Sequence, residues 1–156
     1  MHDLQEYIIP YTISQAVSLI ILFLAWKKPK WARIGLSILF LYASIYNLFI
    51  GLNKPDEYLG FAELALPVYR DFILGWFSHN NHIMIPLIAI GQLAVAIGIL
   101  LRNTVAKIAF IGIIVFLLGI APLMVGSAFP FSVTVSLGVI LILRKGKLNY
   151  IWKKNY

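Results

Sequence analysis

Apolar residues run along this chain in stretches too long and too continuous for the one-faced helices of a water-soluble domain. The first extends from about residue 7 to 26 and the second from 31 to 52. After an interruption, three more cover about 82–101, 104–124 and 127–143. Helices of roughly 20 residues cross a hydrocarbon core of about 30 Å, so the first four fit and the last is short but adequate. The basic WKKPKWAR stretch, pinned by Pro29, separates the first pair, and Gly126 with Pro130 favours a turn before the last. The pattern predicts one all-α integral membrane domain over residues 1–156, a bundle of five spans.

The interruption at 53–81 has a different texture. Asn53 can cap, Pro55 suits a first helical turn, and Asp56 with Glu57 favour the positive end of a helix dipole. Pro67 then breaks the run, which predicts two short helices rather than one. Leu59, Leu66, Phe72, Ile73, Trp76 and Phe77 make one side apolar, so this pair is expected to lie as an amphipathic lid on one membrane face.

Charge orients the bundle. All 6 acidic residues (Asp3, Glu6, Asp56, Glu57, Glu63 and Asp71) fall on the lid side of the predicted spans. Of the 13 basic residues, all but Lys54 and Arg70 fall on the other. The positive-inside rule makes the basic face cytoplasmic, with the N-terminus outside and the C-terminus inside a bacterial-type inner membrane. Trp26, Trp31, Tyr150, Trp152 and Tyr156 then fall where an interfacial aromatic belt belongs. The acidic MHDLQEY start, with no small-residue cleavage site after it, makes the first run a retained span. A mean hydropathy of +0.88 agrees with a membrane residence. The net charge of +7 sits in short loops beside apolar spans, so its expected partner is anionic lipid rather than nucleic acid.

Candidate chemistry is sparse. With no cysteine, the chain cannot supply a thiol relay or ligate an iron–sulfur cluster. His79 and His82 stand three apart and would share a helix face, but two imidazoles make an incomplete metal site. Their place at a membrane boundary argues against haem. No nucleophile–base or paired-acid constellation can be assembled, and the common catalytic fingerprints are absent. Glu63, Tyr69, Arg70 and Asp71 cluster in the lid. They read either as surface ion pairs or as a recognition site in which Arg70 holds an anionic or carbonyl group. Tyr58, Phe61, Tyr69 and Trp76 would wall the same ligand. Within the spans, Ser14, Gln15, Ser18, Ser44, Asn47, Gln92, Ser132, Thr134 and Ser136 are packing glue or, at Gln15, Asn47 and Gln92, the lining of a cavity. No carboxylate or histidine lies deep enough for a proton relay. Ala94 with Gly98, and Gly112 with Gly119, are small-residue faces for helix packing within the chain or between copies in a homo-oligomer. Pro86 and Pro122 are expected to kink their helices on the lid side.

The segment ARIGLSILFLYASIYNLF and the later GQLAVAIGILLRNTVAKIAF together resemble the DoxX-like family of small bacterial membrane proteins. Arg33 opens the span with Gly35 close behind, and Gly91 to Leu101 carries the family's second element. The likeness covers about Ala32 to Leu143. Gln92 stands where the family commonly has Glu, Ala96 replaces the following Gly, and an additional span precedes the usual four. The resemblance implies a four-helix core and association with membrane oxidoreductase complexes, including quinone-linked ones. The Gln at 92 puts in doubt any proton handling at that position. The expected function is an accessory or ligand-binding subunit that handles a quinone or lipid near the outer face. Its alternatives are a small oligomeric transporter, with a water path along Gln15, Asn47 and Gln92, and a non-catalytic protein that docks a partner through the lid.

Overall fold

The structure, a computed structural model, describes residues 4–124, 128–146 and 148–153. Gly126 and Ser127, expected at the turn into the last span, lie outside the described residues, as do Asp3, Lys147, Lys154 and Tyr156. Among the described residues six α-helices form: α1 (Leu4–Lys27), α2 (Pro29–Asn53), α3 (Pro67–Phe72), α4 (Ser78–Gly98), α5 (Asn103–Ile120) and α6 (Phe131–Lys145). A 3-10 helix, Pro55–Glu63, precedes α3, and another, Ala121–Leu123, extends α5.

Proline punctuates the chain by one mechanism used three times. The residue before a proline is pushed out of the helical region by the ring. Lys28 (φ −141°, ψ 70°), Lys54 (φ −148°, ψ 54°) and Leu66 (φ −57°, ψ 149°) all obey, and a new helix starts at Pro29, Pro55 and Pro67. Asn53 does not cap the helix that follows: its Nδ2 donates back to the Phe49 carbonyl at 2.8 Å. At the other end of the chain, Gly146 closes α6 with φ +67°, the left-handed turn that glycine adopts without a steric penalty.

Among the described residues four segments are long and apolar enough to cross a membrane: Ile8–Lys27, Pro29–Asn53, Pro67–Gly98 and Asn103–Leu123. The chain is thus a multi-span, all-helical membrane protein. Its helices carry large apolar side chains on the outside, among them Phe23, Ile45, Phe49, Ile90, Ile108 and Val115. Such surfaces are stable against lipid and not against water. The fifth helix of the bundle, α6, has 15 residues. At 1.5 Å per residue it measures about 22 Å, shorter than its neighbours.

Between Asn53 and Ser78 the chain departs from two separate lid helices. The Pro67–Phe72 piece passes through a single π-helical turn, Ile73–Phe77, into α4, so the second lid element continues into the following span across a kink rather than through a separate loop. Gly75 takes the non-helical angles (φ −91°, ψ −107°) of that kink.

In the bundle, α2 packs on α4, α4 on α5, α5 on α6, α6 on α1 and α1 on α2, which closes a ring. Close approach depends on small residues. A Cβ on Gly51 would lie 2.8 Å from Pro86 Cδ, and one on Gly98 would lie 2.9 Å from Ala109 Cβ. Ala94, expected to share the packing face with Gly98, is exposed instead.

At the basic pole the ring is tied by two cations. Arg33, fully buried, donates from Nε to the Ile99 carbonyl (2.7 Å), from Nη1 to that of Asn149 (2.8 Å) and from Nη2 to that of Leu101 (2.6 Å). Two of these oxygens lie just past the end of α4, where a helix leaves carbonyls unpaired and its dipole is negative. Lys145 Nζ likewise donates to the Ala25 carbonyl at 2.9 Å and to that of Trp26, joining the ends of α6 and α1. The interior of this half is filled by Leu36, Phe110, Ile113, Val135, Val139 and Ile142.

Candidate functional site

The other half of the ring is not filled. Beneath the lid lies a cavity of about 470 Å³, bounded by α2, α4, α5, the lid and the start of α6. Its walls are aromatic and aliphatic. Phe40 and Phe116 meet edge-on across it with ring centroids 6.2 Å apart, and Phe61, Phe72, Ile73, Phe77 and Leu123 roof it. No acidic or basic side chain lines it among the described residues.

One polar patch interrupts this lining. Asn47 Nδ2 on α2 donates to Gln92 Oε1 on α4 at 2.8 Å, and the Tyr58 hydroxyl reaches down from the lid to donate to Asn47 Oδ1. Asn47 lies six positions before the end of α2, about 9 Å below the lid at 1.5 Å per residue. Burial raises the Tyr58 phenol to about 12, with Tyr46 and the Glu57 carboxylate adding to the shift. Near neutral pH the group is therefore a protonated donor.

Three further contacts seat the lid. Tyr69, which also lines the cavity, donates its hydroxyl to the Gly119 carbonyl at 2.7 Å near the end of α5. The Leu66 N–H donates to the Pro122 carbonyl at 3.0 Å, and Asn81 Nδ2, buried on α4, donates to Asp56 Oδ1 at 2.8 Å.

The cavity has a lateral rim. Tyr42 and Tyr46 line it, yet are 67% and 50% exposed, and their rings stack at 6.3 Å. Helix α1 contributes no lining residue among those described, and every position from Ile8 to Ile13 is exposed. The N-terminal half of α1 thus leaves this side of the bundle uncovered.

The structure sorts the sequence-derived candidates into groups. Asn47, Tyr58, Tyr69 and Gln92 converge on the cavity. Glu63, Arg70, Asp71 and Trp76 are exposed and do not line it. Gln15 stands on α1, away from Asn47 and Gln92, with its Nε2 on Ser14 Oγ at 3.3 Å. The remaining polar residues divide too. Ser44 bridges helices by donating to the Ala89 carbonyl (2.7 Å), whereas Ser18, Ser132 and Thr134 bond carbonyls within three or four residues. Ser136 Oγ is buried with no partner among the described residues.

The histidine stretch serves the π-helical bend. His79 Nδ1 lies 2.9 Å from the Gly75 carbonyl, Ser78 Oγ donates to that same oxygen at 2.7 Å, and Asn80 Nδ2 donates to the Trp76 carbonyl at 2.8 Å. These side chains bond carbonyls of the distorted turn itself. No group of three His, Asp or Glu side chains converges among the described residues.

Tyr42, Tyr46, Phe40 and Phe116 had no signal in the sequence, because lipid-facing and cavity-facing positions are equally apolar; Gly119 stood out only as a small residue for helix packing. Compared with known protein families, characterised proteins and solved structures, the chain matches none.

Proposed function

We propose that this protein is a small binding subunit of the membrane that holds a hydrophobic molecule, a quinone or a lipid, in the cavity beneath its outer lid. The observation that carries this reading is the cavity itself. About 470 Å³ falls within the range of small-molecule sites, and mostly apolar walls with a few convergent polar groups are their usual make-up. The rim at Tyr42 and Tyr46 gives a membrane-dissolved molecule a sideways route that avoids water. An accessory role beside an oxidoreductase, and kinship with the DoxX-like family, rest on the residues quoted for that resemblance and belong to the same proposal.

In this reading α6 is a fifth, thinner crossing. The N-terminus and lid lie outside and the Arg33–Lys145 pole lies at the cytoplasm. Support comes from the charge asymmetry and from the ties of those two cations, Arg33 between the start of α2 and the end of α4 and Lys145 between the ends of α6 and α1. Reporter fusions after Lys54 and after Lys147 should read outside and inside; an outside signal at Lys147 would overturn the five-span arrangement.

The binding reading is tested by native mass spectrometry of the protein released from mild detergent. One small molecule should remain bound at about one per chain. Ala43→Phe, which adds a ring to the cavity wall, should lower its occupancy severalfold with the helical content unchanged. Equal occupancy in both proteins would place the molecule elsewhere. A co-purifying polypeptide with no small molecule would favour a docking role for the lid.

A further inference from the structure

The polar patch has a direction, and the direction selects a head group. Tyr58 donates to Asn47 Oδ1, and Asn47 donates through Nδ2 to Gln92 Oε1. Each hand-off uses one end of an amide and leaves the other end to the next partner. The chain therefore ends at Gln92 Nε2, which bonds no group among the described residues. Gln92 is 5% exposed and lines the cavity, so the free N–H groups face the interior space rather than bulk water. An amide donor that opens onto a mostly apolar cavity finds an acceptor only in what enters it, and a ligand that supplies one makes a hydrogen bond otherwise left unmade. The surroundings narrow the choice. With no cation in the lining, an anionic head such as a carboxylate or phosphate would be desolvated without compensation, and with no anion an ammonium would be too.

Resting on the binding reading above, we infer that the cavity selects an uncharged amphiphile whose head offers a carbonyl oxygen to Gln92 Nε2. Asn47 and Tyr58 act as positioning residues that hold the glutamine amide in this orientation. The aromatic walls at Phe40 and Phe116 receive the apolar body. Two sources share this chemistry, a quinone ring and the ester carbonyl of a neutral diacylglycerol.

The test uses the full chain in detergent micelles and four probes: decyl-benzoquinone, dioctanoylglycerol, decanoate and decylbenzene. At least one carbonyl probe should bind about tenfold more tightly than decylbenzene, the size of one neutral hydrogen bond to a buried group. Decanoate should show no such advantage at pH 8. The tighter of the two carbonyl probes identifies the source. Gln92→Leu should erase the advantage while decylbenzene still binds at least as tightly, which also shows that the variant is folded. Gln92→Met, closer in length, replaces it if the leucine variant does not purify. Equal affinity for decylbenzene and both carbonyl probes in the natural sequence would overturn the inference. So would a tenfold preference that survives the change at 92, or tight binding of decanoate. Absence of binding by all four probes would instead defeat the cavity as a ligand site, and this inference with it.

Discussion

Replacing Arg33 tests the architecture on which the cavity depends. Its guanidinium is fully buried and reaches three carbonyl oxygens on two segments distant in sequence, at 2.6 to 2.8 Å. In water-soluble proteins, hydrogen bonds to charged groups contribute about 1.5–3 kcal/mol each. Side-chain bonds between membrane helices average about 0.6 and reach about 1.7 kcal/mol, because the unfolded helices also find partners in the bilayer. Three bonds at the membrane values give a cost of about 2–5 kcal/mol for Arg33→Met, which keeps the apolar stem but leaves the carbonyls unpaired. Arg33→Lys retains the charge but cannot fork toward three oxygens, so about half that loss is expected. Unfolding in mixed micelles of increasing sodium dodecyl sulfate, followed by circular dichroism, measures both variants. Limited proteolysis should cut the tail near Asn149 faster in each, since Nη1 holds its carbonyl. If Arg33→Met unfolds within about 0.5 kcal/mol of the natural sequence, the buried arginine does not tie the pole together and the reasoning fails.

Other changes give sharper local contrasts. Lys145→Met removes a cation that also bonds carbonyls, but from an exposed position; a loss below about 1 kcal/mol in the same assay is expected, well under that of Arg33. Gly51→Ala puts a Cβ 2.8 Å from the rigid Pro86 ring and should destabilise by about 1 kcal/mol, overpacking of about 1–3 outweighing a helix-propensity gain of about 1. Gly35→Ala, where a Cβ meets nothing within 4 Å, should be neutral or slightly stabilising. Tyr58 has a folded-state value raised to about 12 from about 10. Its stabilising contribution is therefore complete below pH 10 and lost as pH rises through 12. Micelle unfolding at pH 9 and pH 11.5 should show a larger decline for the natural sequence than for Tyr58→Phe; parallel declines would mean that the phenol is not held in the lid contact.

Much of this molecule follows from residue order alone. Lipid dissolves long apolar runs and charges stay in the loops, so segment positions and the segregation of acids from bases were legible without any partner residue. Proline breaks were legible for the same local reason, since each ring acts on the residue directly before it. What the residue order left open depends on which way a helix faces. In water, a polar stripe marks the exposed side; in a membrane both sides are apolar, and nothing in α2 distinguishes Tyr42 and Tyr46 at a cavity rim from Ile45 and Phe49 in lipid. Asn47 and Gln92 stood out as polar residues at depth, but their partnership with each other and with Tyr58, and the absence of Gln15 from it, required the ring order of the helices. Arg70 and its acidic neighbours drew notice through charge, yet sit exposed, while the cation that holds distant segments together is Arg33, counted in sequence among the loop bases. Tertiary packing alone decided where space was left: one half of the ring closes on bulky core side chains, and under the lid it does not.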